Sequence, residues 1–334
     1  MKIILDAMGG DNAPQAAVEG AVLAAQHYGC DILLVGDRAR VEPSLAGREP
    51  QHITLVHASE VVEMEDKPST VLRQKKDSSM AVGLRLLAEG QADAMISAGS
   101  TGALLTGATL TVKRIRGVRR AALGTMVPQK TGARALLLDC GANAECTPEY
   151  LLQFALMGSL YQKTQCGVDR PRVALVNNGT EEGKGNRQVQ EAYELIKGVG
   201  GINFIGNVEG HDLFRGVVDV VVCDGFVGNI VLKTSEQLAR SLTRIIKASV
   251  MKKVVWKLGG LMCKGAFSDV KRATDPGEVG GAPLLGVKGS CIIGHGNFGP
   301  HAIANGINAV GTLIRGQIND RIVESVHQYA LESI

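Results

Sequence analysis

Apolar residues in this chain fall in short continuous runs, most of which stop abruptly at glycine and small polar residues. Ten runs read as strands: 2–6, 31–36, 53–57, 93–97, 121–126, 134–139, 172–177, 202–206, 218–223 and 290–293. Unbroken Val, Ile, Leu and Ala marks strands covered on both faces, so the pattern predicts a central, largely buried sheet. Helical periodicity fills the intervals: Pro14 to Tyr28, Pro68 to Glu89, Gly102 to Arg116, Pro148 to Gln162, Gln188 to Lys197, a long stretch beginning near Asn229, and Pro300 to Ala330. Pro14, Pro148 and Pro300 stand where a first-turn proline is tolerated, since its missing N–H would have no helical partner there. Strand, loop and helix alternate nearly throughout, which predicts one three-layer α/β/α domain spanning 1–334.

Six loops at the ends of apolar runs carry the candidate chemistry. Where a helix follows such a loop, its first N–H groups lack partners and its dipole favours negative charge. Several such loops gathered in one cleft are expected to hold a phosphate. In KIILDAMGGDNAP, Asp6 lies at a strand carboxyl end, where ligands of open α/β sheets bind; Gly9 and Gly10 permit close backbone approach, and Asp11 or Asn12 can cap the next helix. In ISAGSTGA, Ser100 and Thr101 offer hydroxyls at a helix start, for capping or for a ligand. The loop NNGTEEGKGN presents Asn178, Thr180 and Asn186 as neutral partners and Lys184 between two glycines, either solvated or aimed at an anion. Asn143 in LLLDCGAN and Asn229 in VVVCDGFVGN follow strand ends and complete a polar lining, or serve as turn residues. GHGNFG, from Gly294, matches G-x-G-x-x-G, and Asp320 follows at about the spacing of a dinucleotide fingerprint. That fold needs another strand to carry the acid, and here only helix follows. His295 is then a proton donor, a phosphate contact or a strand-end hydrogen bond.

Composition changes this picture in two places. The 334 residues carry a net charge of +3, but Arg240 to Arg272 holds nine Lys or Arg against one Asp, a net of +8 that leaves the remainder at −5. Within 238–271, Leu238, Leu242, Ile245 and Ile246 fall on one helical face and Arg240, Arg244 and Lys247 on the other. An apolar tip follows, Val254, Val255, Trp256, Leu258 and Leu261, so a projecting basic helical hairpin is expected, either a solvated surface or a docking one. The seven cysteines form no C-x-x-C pair, which speaks against disulfides and structural zinc; Cys140 and Cys223 read as packing residues rather than nucleophiles. Asp6 interrupts the opening apolar run too early for a signal peptide, and no apolar run approaches a bilayer span, so a cytoplasmic protein is expected.

The assembled motifs, DAMGGD and GTE-x-x-KGN above all, resemble the phosphate acyltransferases of bacterial phospholipid synthesis over nearly the whole chain. The resemblance implies conversion of acyl-[acyl-carrier-protein] and inorganic phosphate to acyl phosphate, and a fold similar to the isocitrate and isopropylmalate dehydrogenases and phosphotransacetylase. It further implies a ten-stranded mixed sheet in two intertwined halves, a homodimer, and peripheral attachment to an anionic membrane surface, beside the downstream membrane acyltransferase. Phosphate as nucleophile needs no Ser or Cys; it needs a site that holds a dianion against the thioester carbonyl. Lys184, Ser100, Thr101, Asn143, Asn178, Thr180, Asn229 and the Gly9–Gly10 backbone suit that task, with His295 as acid and with Asp6 and Asp224 orienting the lysine and loop dipoles. Arg240, Arg244 and Lys247 suit an acidic carrier protein. No cofactor, metal or nucleic acid is called for. The rivals are a metal- and NAD-dependent decarboxylating dehydrogenase of the same fold, which needs clustered aspartates, and a non-catalytic carrier or membrane adaptor.

Overall fold

Eleven strands form one mixed sheet in the computed structural model, which describes residues 1–46, 51–63 and 65–329. The strands are β1 (Lys2–Asp6), β2 (Asp31–Gly36), β3 (Ile53–His57), β4 (Ala94–Ser97), β5 (Ala122–Pro128), β6 (Arg134–Leu138), β7 (Arg172–Val176), β8 (Asn203–Val208), β9 (Val220–Val222), β10 (Ala282–Leu285) and β11 (Ser290–Ile293). Among the described residues twelve α-helices accompany them: α1 (Gln15–Tyr28), α2 (Arg38–Leu45), α3 (Val71–Gln74), α4 (Ser79–Ala88), α5 (Thr101–Gly107), α6 (Pro148–Cys166), α7 (Arg187–Lys197), α8 (Gly225–Val250), α9 (Val254–Met262), α10 (Lys264–Thr274), α11 (Pro300–Arg315) and α12 (Ile318–Gln328).

All ten expected strands form, and the count of ten is corrected to eleven by β10. Pro283 hides that strand in the sequence, because proline cannot donate to a ladder and argues against a central position. The fold accommodates it: Pro283 is paired only towards β11, and pairing to β5 begins at Leu284. The order is β3-β2-β1-β4-β11-β10-β5-β6-β9-β7-β8. β1 to β4 and β11 run parallel; β10 is antiparallel to both neighbours; β5 is antiparallel to β6, with which β9, β7 and β8 run parallel. Strands β1, β4 and β11 therefore point opposite to β6, β7 and β9.

Helices cover both faces. Ile303, Ala304, Ile307 and Val310 of α11 and Val18 and Ala21 of α1 share a core with Ile3, Leu5 and Ile96, while Phe154, Ala155 and Met157 of α6 pack with Leu136, Leu138 and Val220. Gly20 lets α1 and α11 close together: a Cβ there would stand 2.7 Å from Ile303.

Three expected helices are divided. The 68–89 segment breaks into α3 and α4 because Asp77 turns to the Ser59 N–H and hydroxyl and Ser78 caps α4. The 102–116 segment passes from α5 into a π-helical turn at Ala108–Val112 and stops at Lys113, with φ +72°. The 300–330 segment breaks at Gly316 and Gln317, the latter at φ +52°, and Ala330 lies outside the described residues. The helix expected from Asn229 starts at Gly225, and the 238–271 stretch expected as a helical hairpin is divided among three helices, α8 to α10. Only Gly225 and Gly228 of α8 are buried, and nothing in α9 or α10 is.

Candidate active site

Strand direction divides the six glycine loops into two sets. The loops after β1, β4 and β11 leave one edge of the sheet; those after β6, β7 and β9 leave the other. The two sets border a common core: Ala142, in the loop after β6, packs against a cluster that contains Leu123 of β5 together with Ala103 and Leu104 of α5.

In the first set the loops meet backbone to backbone. A Cβ at Gly9 would stand 2.7 Å from Gly99 N, and one at Gly10, where φ is +99°, 2.9 Å from Gly296 O, so only glycine fits either position. Asp6 is buried; its Oδ2 accepts from Ser97 Oγ at 2.6 Å and its Oδ1 from Met8 N at 3.0 Å. Its carboxylate thus fixes the first two loops and does not reach Lys184, which belongs to the other set. Asp11 and Asn12 do not cap α1. Asn12 Nδ2 donates to Asn297 O and Phe298 O, and Asp11 N to Gly296 O at 2.7 Å, tying the first loop to the last. Ser100 is the cap of α5, accepting from Ala103 N at 3.4 Å, and Thr101 is exposed at its first turn. His295 Nδ1 accepts from Asn297 N at 3.4 Å, an arrangement that leaves Nε2 carrying the proton in the neutral ring.

In the second set Asp139, fully buried, is the organising residue, a role that its place at the end of an apolar run does not reveal. Its Oδ1 accepts from Leu123 N and Ala142 N, both at 3.0 Å, and its Oδ2 from Asn143 N at 2.7 Å and Asn143 Nδ2 at 2.9 Å. Burial pushes its carboxyl up and these donors oppose that. Asn143 braces the loops rather than pointing free: Nδ2 also donates to Ala121 O at 2.8 Å, and its carbonyl accepts from Gly225 N at 2.7 Å. Asp224 caps α8 by accepting from Val227 N at 2.8 Å, and exposed Asn229 lies over Gly141.

Asn178, Thr180 and Lys184 are exposed on the loop after β7. Asn177, whose role has no signal in the sequence, holds that loop: Nδ2 donates to Lys184 O at 3.0 Å, and Oδ1 accepts from Asn178 N at 2.8 Å. Asn207 Nδ2 donates to Glu181 O, and Gln190 Nε2 to Gly183 O and Gly185 O. Lys184 makes no ion pair among the described residues, whereas neighbouring Glu182 is engaged by Lys197 and Tyr193. Asn186 caps α7.

The thiols beside these loops are not poised to attack. Burial pushes Cys140 up to about 12 and Cys223 well above its ordinary value, and their sulfurs donate to Leu137 O and Asp139 O. Among the described residues no group of three or more His, Cys, Asp or Glu stands together as metal ligands, and no helix is long and apolar enough to cross a membrane.

Residues 1–321 match the model of the family described as fatty acid synthesis protein. The chain is 43% identical to a phosphate acyltransferase of Clostridioides difficile, over 100% of this chain and 98% of the relative. It is 46% identical to one of Nitratidesulfovibrio vulgaris, over 97% and 94%. The chain belongs to this family of phosphate acyltransferases. Membership makes it an enzyme and bears out the resemblance read from the motifs. Among solved structures it is similar in fold to a phosphotransacetylase from Streptococcus pyogenes, with a TM-score of 0.64 and 17% identity over 95% of this chain and 94% of that one. A 4-hydroxythreonine-4-phosphate dehydrogenase from Klebsiella pneumoniae gives a TM-score of 0.52 and 14% identity over 96% and 99%. The mixed α/β sheet is thus shared by acyl-transferring and dehydrogenating proteins, and chemistry has to be argued from the loops.

Proposed function

We propose that this enzyme moves a fatty acyl group from acyl carrier protein to inorganic phosphate, giving acyl phosphate, with phosphate itself as the nucleophile. The observation that carries the mechanism is the combination of Lys184, on a pinned loop and without an ion pair among the described residues, with buried, protonated thiols. In the reaction a phosphate oxygen bonds to the thioester carbonyl carbon, the oxyanion forms and collapses, the C–S bond breaks, and the thiolate takes a proton. Lys184, with Asn178 and Thr180 beside it, and the N–H groups at Gly9, Gly10, Ser100 and Thr101 are the donors for phosphate and oxyanion; Asn229 completes the lining. His295 supplies the proton from Nε2. Asp6, Asp139, Asn143 and Asp224 position the loops that carry these groups.

The helices α8 to α10 serve the partners in this reading. Leu238, Leu242, Ile245 and Ile246 are each about half exposed and form the stripe that a second copy covers in a homodimer. Val254, Val255, Trp256, Leu258 and Leu261, between 46% and 76% exposed, make the tip that enters an anionic membrane surface, where Lys252, Lys253 and Lys257 add about 1 kcal/mol each. Arg240, Arg244 and Lys247 attract the acidic carrier. The purified protein is expected to release free carrier thiol from long-chain acyl-[acyl-carrier-protein] only when phosphate is present, without NAD or metal. Equal release without phosphate means a thioesterase and overturns the reading.

A further inference from the structure

A second basic element lies outside the α8–α10 region: KRIRGVRR, Lys113 to Arg120, has five Lys or Arg in eight residues and no acid. We propose that this run is the seat on which an acidic carrier protein rests while its thioester arm enters the site; the inference rests on the acyl-transfer reading above. The run is rigid. Ile115 and Val118 are buried anchors; Ile115 N donates to Gly286 O, Lys288 N to Lys113 O, and buried Gln153 donates to Gly117 O at 2.9 Å while accepting from Arg119 N at 2.8 Å. The five cationic side chains are left on the outside, and Arg120 lies over the Tyr150 ring at 5.5 Å.

The charge is largely uncompensated. Lys113, Arg116, Arg120 and adjoining Lys288 make no ion pair among the described residues, although Glu149 in the first turn of α6 stands near Arg119. Fixing like charges on a rigid backbone raises the energy of the free protein, and an anionic partner relieves that repulsion on docking. The run also borders the site. Arg120 is followed by Ala121, whose carbonyl accepts from Asn143, and Asn143 in turn holds Gly225. Arg240, by contrast, stands fifteen residues beyond Gly225 along α8, about 22 Å at the helical rise. The stem therefore attracts the carrier at long range, and the 113–120 run holds it.

The surface fits a protein better than a lipid or a nucleic acid. Its own apolar residues Ile115 and Val118 are buried, unlike those of α9, and Leu110, three residues before Lys113, is exposed. Among the described residues the aromatic ring beside the run is Tyr150, and Arg120 already lies over it, which leaves it poorly placed to stack a base.

The test is the double variant Lys113→Glu/Arg116→Glu, which leaves every residue assigned to the reaction in place. KM for the acyl-carrier substrate is expected to rise about tenfold or more with kcat unchanged, and turnover of a small acyl-pantetheine thioester to stay the same. Fluorescence anisotropy of labelled, unacylated carrier should show the same loss of affinity, and Lys113→Arg/Arg116→Lys should retain it. The proposal is overturned by unaltered carrier affinity, by equal loss on the small thioester, by loss of vesicle binding instead, or by a larger KM effect from Arg240→Glu/Arg244→Glu. Because anisotropy reads docking without turnover, failure of phosphate-dependent thiol release in the unaltered protein sinks the acyl-transfer reading separately.

Discussion

Lys184 owes its position to backbone geometry rather than to a counter-ion. Gly185 takes φ +93°, where a Cβ would stand 2.8 Å from Asn177 Oδ1, so the hydrogen bond from Asn177 to Lys184 O depends on glycine at the next position. Lys184→Ala is expected to lower kcat by roughly a hundredfold or more, the scale of losing one preorganised donor. Cys140→Ala should keep most of its activity in the same thiol-release assay, and the reverse ranking would place the chemistry on the thiol. The exposed members of the site were legible because a lysine among glycines has no packing role. Asp139 and Asn177 were not. A carboxylate at the end of an apolar run reads alike whether it binds a ligand or, as here, gathers four donors within the fold.

At the scale of elements, continuous apolar runs identified ten strands, since covering both faces of a sheet leaves no alternation to misread. β10 escaped because Pro283 mimics a break, and helices over 68–89, 102–116 and 300–330 were read as continuous because their interruptions at Asp77, Lys113 and Gln317 lie in side-chain bonds and positive φ rather than in Pro. The three outer helices make a separable prediction. Trp256→Glu with Leu258→Glu should abolish flotation with anionic vesicles and leave soluble turnover near normal. Retained flotation, or lost activity in a folded dimer, makes the tip a packing element. The apolar stripe further down α8 answers to a different measurement: Leu242→Glu with Ile245→Glu should shift the sedimentation coefficient from dimer to monomer, and an unchanged value means that another surface is covered.

For the whole molecule, acid sensitivity can be traced to a pair that ties β7 to β9. Arg172 Nε and Nη2 bond Asp219 Oδ2 and Oδ1 at 2.9 and 2.8 Å, and Arg172 N adds a third bond at 2.7 Å. Burial pushes the Asp219 carboxyl up most strongly of any single influence, but the hydrogen bonds and charge of Arg172 together bring it below its ordinary value. An unfolded chain therefore takes up this proton at higher pH than the folded one, so the stabilisation is complete above about pH 4 and is lost as pH falls further. Urea melts between pH 3 and 5 should show a flatter dependence for Asp219→Asn, and an unchanged slope would place acid sensitivity elsewhere.

The placement of β11 also fixes when the protein can fold. Made late in synthesis, β11 sits against β4 in mid-sheet, and α11 covers the face on which Ile3, Leu5 and Ile96 lie. A chain still growing on the ribosome carries β1 to β4 with that face covered by α1 but not by α11, and without Gly296 to meet Gly10. Contacts this distant along the sequence are slow to close, and the interval is one of exposed apolar surface. The glycine loops of the first set are thus completed near the end of translation, although the first of the three is among the earliest residues to emerge.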